Sequence, residues 1–157
     1  MLKVHTPAPP FSGTLTDGTA FDLASERGRR HVVLYFFPKA FTPGCTKETC
    51  RFRDGHDAVT RSGALVLGIS GDDIATLRRF RDQYGAPFQF MSDHGKRVAR
   101  SYDVRRTLGL GTSRVTYVVG ADGLIHLAHH DEFRMNSHLD AVLATLEGLP
   151  AVTPNRA

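Results

Sequence analysis

The chain has 157 residues, of which 41% are hydrophobic and 23% charged, an ordinary balance for a globular protein that is large enough to bury a core. Its 20 Lys and Arg against 16 Asp and Glu give a net charge of +4, but the basic residues form short scattered groups without interleaved aromatics, which argues against nucleic-acid binding. No apolar run approaches the roughly 18 residues of a membrane span, and the first residues lack the apolar segment of a secretory signal, so we expect no membrane association and a cytoplasmic location.

The N-terminal part of the chain predicts a β-hairpin. The segments Phe11–Leu15 and Thr19–Leu23 carry alternating apolar residues and flank Asp17-Gly18. An Asp-Gly pair between two such segments is a strong signal for a tight turn between antiparallel strands.

The rest of the chain alternates predicted strands and helices. In chain order these are a buried strand at 31–37, a helix at about 43–61, a strand at 64–70, an amphipathic helix from Asp72-Asp73 to Gly85, a strand at 88–91, a short helix at 95–102, a loop at 105–112, paired strands at 115–119 and 124–128, a helix capped by Asn136 and ending at Gly148, and a frayed tail from Thr153. This order predicts a single α/β domain over residues 1–157. Its expected architecture is the thioredoxin-like one, a central mixed sheet flanked by helices, with the N-terminal β-hairpin added.

Both cysteines of the chain lie in residues 36–50, which read FFPKAFTPGCTKETC. Thr42 is a good N-cap, and Pro43 is favoured at the first helical position. Cys45 is then predicted to be the third residue of the helix, where unpaired backbone N–H groups and the helix dipole stabilise a thiolate. The pattern therefore predicts a reactive sulfur at Cys45.

The second cysteine, Cys50, lies five residues beyond Cys45. On an ideal helix, residues five apart have Cα atoms roughly 8.7 Å apart and point about 140° away from each other. A disulfide needs Cα atoms within about 7 Å. A bond between the two cysteines therefore requires local unwinding of the helix, and Cys50 could equally be an ordinary helix residue without a redox role.

The pattern Pro38-x-x-x-Thr42-x-x-Cys45 resembles the active-site signature of peroxiredoxins. The longer string Thr-Pro-Gly-Cys-Thr-Lys-Glu, with a second cysteine five residues on, resembles the peroxiredoxin Q branch, also called bacterioferritin comigratory protein. The segments SDHGKRVARSYDV and SRVTYVVGADGLI extend the resemblance through most of the chain. The preceding Ala40-Phe41 is more similar to one-cysteine peroxiredoxins of the alkyl-hydroperoxidase E type, and indicates an apolar pocket mouth suited to organic hydroperoxides.

The resemblance implies a role for each of six residues. Cys45 is the peroxidatic nucleophile, which becomes a sulfenic acid, and Cys50 is the resolving cysteine, which forms an intramolecular disulfide with it. Thr42 orients the peroxide by a hydrogen bond, and Pro38 shields the pocket from water. The remaining two roles are those of Arg114, which stabilises the thiolate and the transition state, and Glu48, which holds an arginine in place.

The function that the resemblance implies is thiol-dependent reduction of hydrogen peroxide and organic hydroperoxides, with thioredoxin or a similar dithiol as reductant and the protein acting as a monomer. No cofactor is expected. A metal site is not expected either, because His129 and His130, in the only His-rich cluster, are adjacent on a predicted strand and point to opposite faces.

Three alternatives remain from sequence alone. The first is a one-cysteine peroxiredoxin resolved by an external thiol, and the second a redox-sensing binding protein or holdase on the same fold. The third, a thiol–disulfide oxidoreductase, is disfavoured because such proteins carry Cys-x-x-Cys. The preferred peroxide, the reductant and the role of the segment Phe133–His138 stay open.

Overall fold

A computed structural model describes residues 1–105 and 111–152. Most of the loop predicted at 105–112, and the predicted frayed tail, lie outside the described residues. The described elements are, in chain order, β1 (Ser12–Thr14), β2 (Ala20–Asp22), β3 (His31–Phe36), α1 (Pro43–Asp54), α2 (His56–Arg61), β4 (Ala64–Ser70), α3 (Ile74–Tyr84), β5 (Gln89–Ser92), α4 (Arg97–Ser101), β6 (Val115–Val119), β7 (Ile125–His130) and α5 (Met135–Glu147). No described helix is long and apolar enough to cross a membrane.

The central sheet is mixed and has the strand order β5-β4-β3-β6-β7 within the described residues. Strands β3, β4 and β5 are parallel, whereas β6 runs antiparallel to β3 and β7 antiparallel to β6. The strands β1 and β2 pair separately as an antiparallel hairpin. The predicted thioredoxin-like architecture, including the N-terminal hairpin, is confirmed.

Strand β3 is the centre of the core, and all six of its residues are buried. Val33 and Tyr35 pack on one face of the sheet with apolar residues of α1, α2, α3 and α5. Leu34 and Phe36 pack on the other face with the hairpin and α4. A strand covered on both faces has no polar side, which explains why β3 is apolar or aromatic at every position after His31.

Two helix boundaries differ from the prediction. The helix expected at 43–61 is divided at Gly55, where the backbone leaves the helical conformation with φ −94° and ψ 6°. A Cβ at this position would come 2.7 Å from Leu139 of α5, so the close approach of the two helices leaves room only for glycine. The last helix begins at Met135 with Arg134 as its N-cap, so Asn136 is not the cap. Instead, the carboxylate of Asp131 accepts the backbone N–H groups of Phe133 and Arg134.

Gly68 of β4 lies where the sheet meets the aromatic core under α1. A Cβ built there would be 2.5 Å from a ring carbon of Phe90 and 2.8 Å from one of Tyr35. We expect Gly68→Ala to destabilise the fold by about 1–3 kcal/mol, because packed rings move little. Urea unfolding checks this, with Gly95→Ala as control, since nothing lies within 4 Å of a Cβ at Gly95. Equal free energies of unfolding for the two variants would contradict the prediction.

Candidate active site

Cys45 is the third residue of α1 and is fully buried. Thr42 occupies the N-cap position, as predicted, but its side chain makes no capping hydrogen bond. Its hydroxyl instead donates to the backbone carbonyl of Lys39 at 2.7 Å. The hydroxyl proton is thus engaged, which leaves the oxygen as an acceptor beside the first turn of the helix.

Arg114 directly precedes β6, and the pairing of Val115 with Phe36 brings it to the end of β3 where α1 begins. Its Nη1 donates to the Sγ of Cys45 at 3.3 Å and to Oε1 of Glu48 at 3.3 Å. Only 6% of Arg114 is exposed. Burial by itself lowers the pKa of Arg114. The electrostatic attraction of Glu48 and Cys45 outweighs this effect and raises the pKa above its usual value. The cation is therefore fixed against the sulfur.

Gly44 explains how the guanidinium reaches the helix start. A Cβ at this position would lie 3.0 Å from Nη2 of Arg114 and 3.7 Å from Cε of Met135. The absent side chain leaves room for the guanidinium beside the backbone that carries Cys45.

Glu48 lies one turn beyond Cys45 on the same face of α1 and is fully buried. Burial raises the pKa of its carboxyl to about 8, against the opposing effect of Arg114. Oε2, the oxygen not bound by Arg114, has no hydrogen-bond partner and lies 3.4 Å from Nδ1 of His138. Glu48 was expected to hold an arginine, and the arginine that it contacts is Arg114. A third residue, His138, joins the two.

His138 of α5 belongs to the segment to which the sequence assigned no role. It is fully buried, with Nδ1 2.8 Å from the hydroxyl of Thr116 and Nε2 2.8 Å from the carbonyl oxygen of Asp131. One signal could have identified it. His138 lies within the buried stripe of α5, beside Leu139 and one turn before Val142, where a polar residue needs a partner.

The other predicted site residues lie nearby but make no described contact with the sulfur. Pro38 is half-buried just beyond the end of β3. Cys50 is half-buried and lies on the same unbroken helix as Cys45, and both thiols are free. The conformation described is therefore one in which the two cysteines are not bonded.

The segment that leads to Cys45 carries an exposed aromatic ring, that of Phe41. Phe41 has a backbone φ of 67° and is 39% exposed. Its ring packs edge-on against Phe80 of α3, with ring centroids 5.1 Å apart. The positive φ is unusual for a bulky residue, and Ala40 beside it is anchored by donating its N–H to Asp72.

No group of three potential metal ligands occurs among the residues that the structure describes. His129 and His130 engage different partners, as expected for neighbours on a strand. His129 forms a hydrogen bond with Ser137, and His130 pairs with Glu132.

The site around Cys45 is a buried thiol at a helix N-terminus beside a fixed cation. This arrangement is suited to nucleophilic attack by sulfur.

Comparison with known proteins agrees with this geometry. The family model described as the AhpC/TSA family matches residues 4–128. The chain is 38% identical over 143 residues to the chloroplastic peroxiredoxin Q of Oryza sativa subsp. japonica; the match covers 90% of this chain and 65% of the rice protein. The chain thus spans about two thirds of the length of this relative.

Two solved structures resemble the chain along nearly their whole length. Peroxidoxin BcpB from Mycobacterium tuberculosis superposes with a TM-score of 0.88 at 32% identity, covering 95% of this chain and 99% of that one. The bacterioferritin comigratory protein of Xanthomonas campestris, for which alkyl peroxide reduction is described, has a TM-score of 0.82 at 29% identity. The match covers 92% of this chain and 98% of the Xanthomonas chain. The chain therefore belongs to the AhpC/TSA family, and within it to the peroxiredoxin Q branch.

Proposed function

We propose that the chain is a thiol-dependent peroxidase that reduces hydrogen peroxide and organic hydroperoxides. The observation that carries the proposal is the fully buried Sγ of Cys45 at a helix start, 3.3 Å from the guanidinium of Arg114. A guanidinium held this close to the sulfur stabilises the thiolate and the negative charge that grows on the leaving oxygen.

In the first step the Cys45 thiolate attacks one peroxide oxygen, an S–O bond forms and the O–O bond breaks. The hydroxyl of the peroxide stays on the sulfur, which is thereby oxidised to a sulfenic acid. The other oxygen leaves as an alkoxide or hydroxide and takes up from solvent the proton that the Cys45 thiol released on ionising, which gives an alcohol or water. The Thr42 hydroxyl donates its hydrogen bond to the backbone carbonyl of Lys39. Its oxygen is therefore free to accept a hydrogen bond from the peroxide O–H and so to orient the peroxide. We assign to Pro38, which lies just beyond the end of β3, the role that the resemblance implies, shielding of the pocket from water.

In the second step the Cys50 sulfur attacks the sulfenic sulfur, which forms a disulfide and releases water. Both cysteines lie on α1, so this step requires the helix to open between them. Thioredoxin or a similar dithiol then reduces the disulfide by thiol–disulfide exchange, which restores both thiols.

The exposed ring of Phe41 at the mouth of the site supports organic hydroperoxides as substrates, because an alkyl group could be partly desolvated against it. The alkyl peroxide reduction described for the Xanthomonas campestris relative supports the same substrate class. A monomeric state and a cytoplasmic location remain part of the proposal.

Intact mass measured after one equivalent of hydrogen peroxide tests the two-cysteine cycle. We expect the native protein to lose two hydrogens, and Cys50→Ser to gain one oxygen as a trapped sulfenic acid, because only the native chain can close the disulfide. A sulfenic acid in both proteins would mean that an external thiol resolves Cys45. No rapid change in either would contradict the peroxidase proposal.

A further inference from the structure

The buried carboxyl of Glu48 and the buried ring of His138 face each other inside the protein. Oε2 of Glu48 and Nδ1 of His138 are 3.4 Å apart, and both residues are fully buried. Oε2 has no hydrogen-bond partner. A carboxylate oxygen without a donor in such a place is costly, so the arrangement requires an explanation.

The tautomer of His138 can be assigned from its other nitrogen. Nε2 lies 2.8 Å from the carbonyl oxygen of Asp131, which can only accept, so Nε2 carries a hydrogen. A neutral ring then presents a lone pair at Nδ1, opposite the lone pairs of Oε2. The contact becomes favourable when one proton lies between the two atoms. The hydroxyl of Thr116, 2.8 Å from Nδ1, shares this nitrogen with Oε2: it is a second donor to the one lone pair of a neutral ring, and a second acceptor for the one N–H of a protonated ring.

The charges around the pair also favour this proton. Arg114 approaches from the start of β6 and is shared by Glu48 and Cys45. If Glu48 were ionised beside a Cys45 thiolate, two buried anions would depend on one guanidinium. A proton held by Glu48 and His138 leaves the pair uncharged overall, so that the thiolate alone balances Arg114.

We propose that Glu48 and His138 hold one buried proton between them, and that His138 is a positioning residue for the reaction at Cys45. Glu48 then directs Arg114 through Oε1 as a neutral carbonyl acceptor, while its Oε2 side is satisfied by the ring. The inference rests on the proposed peroxidase function for its purpose, but its geometry does not depend on that function.

The electrostatic surroundings agree with this assignment. Burial raises the pKa of Glu48 to about 8 and lowers the pKa of His138 to about 4, so that near neutral pH the acid keeps its proton and the ring stays neutral. Arg114 opposes the shift at Glu48, and Glu132, which follows β7, reinforces it. His129 of β7 lies edge-on to His138, with ring centroids 4.8 Å apart, and adds to the lowering there.

Two variants of His138 separate this role from simple anchoring of α5. In His138→Gln an amide can still donate to the Asp131 carbonyl, but no atom replaces Nδ1. In His138→Asn an amide oxygen replaces Nδ1, but the Asp131 contact is lost. Both are made in the Cys50→Ser background, and the rate of Cys45 alkylation by iodoacetamide is followed against pH, which reports the thiolate without using peroxide.

We expect the midpoint of this pH profile to rise by about one unit in His138→Gln, because Glu48 loses the acceptor of its proton and ionises beside the thiolate. His138→Asn should keep a midpoint close to that of the parent protein. Equal shifts in both variants, or a shift in His138→Asn alone, would overturn the inference, as would an unchanged midpoint in folded His138→Gln.

Glu48→Gln completes the test and needs no change at His138. Glutamine has the shape of a protonated Glu48, so we expect the midpoint of the Cys45 alkylation profile in Glu48→Gln to stay within about 0.3 pH units of the parent protein. Adding His138→Gln to this variant should then cause no further rise of the midpoint. A fall of a unit or more in Glu48→Gln would show that Glu48 is an anion and would overturn the proposal. If the alkylation profiles behave as expected but no peroxide is reduced, the proton pair stands and the proposed function fails.

Discussion

Replacing Cys45 by serine should abolish peroxide reduction. A serine hydroxyl keeps its proton at neutral pH, and it does so even beside a helix N-terminus and Arg114. No anionic nucleophile therefore remains to attack the O–O bond. The site would otherwise be little changed, because oxygen replaces sulfur in the same buried position. Stopped-flow measurement of peroxide consumption by the reduced protein should show a rate equal to that of buffer.

Cys50→Ser is the matched control, since it makes the same atomic change at the second and last cysteine of the chain. The variant should consume the first equivalent of peroxide about as fast as the native protein, and then slow because the sulfenic acid lacks its internal partner. Substantial peroxide consumption by Cys45→Ser would place the nucleophile at Cys50 and contradict the assignment. Urea unfolding of both variants separates loss of chemistry from loss of fold.

The features that the sequence predicts correctly are those decided by neighbouring residues. Strand β3 is recognisable because both faces of a central strand are covered and every position after His31 is apolar or aromatic. Cys45 is placed at the third helical residue because Thr42 and Pro43 fix the start of α1 locally. Arg114 was predicted at the site only through family resemblance, since 69 residues separate it from Cys45.

The features that the sequence does not predict depend on contacts between distant elements. The expected helix is interrupted at Gly55, a position where the close approach of Leu139 from α5 leaves no room for a side chain. The start of α5 is an exception, because it is set locally: the carboxylate of Asp131, and not Asn136, accepts the N–H groups of Phe133 and Arg134. His138 becomes part of the site because α5 packs against α1 and delivers the ring to Glu48. Neither the Gly55–Leu139 contact nor the Glu48–His138 contact can be identified from spacing along the chain.

Removing the Arg114 charge should slow the oxidation of Cys45 by peroxide about 10²–10³-fold, the range found when a preorganised transition-state donor is lost. Arg114→Met keeps the length of the side chain but removes the cation 3.3 Å from Sγ. Fewer sulfurs would be ionised at neutral pH, and charge on the leaving oxygen would lose its donor. The second-order rate constant should therefore remain low even at a pH where the thiol is fully ionised.

Arg29→Met serves as the control, because it makes the same change of net charge at an exposed position, and its rate should match that of the native protein. A redox sensor without peroxidase function has no need of Arg114, so an unchanged rate of Cys45 oxidation in Arg114→Met would favour that alternative.

The free energy of unfolding of Arg114→Met also tests whether Glu48 is charged. If Glu48 were an anion, loss of Arg114 would leave a buried unpaired charge and cost about 3–5 kcal/mol. A carboxyl that shares its proton with His138 is uncharged and loses one hydrogen bond from a charged donor, at about 1.5–3 kcal/mol. We expect the smaller loss.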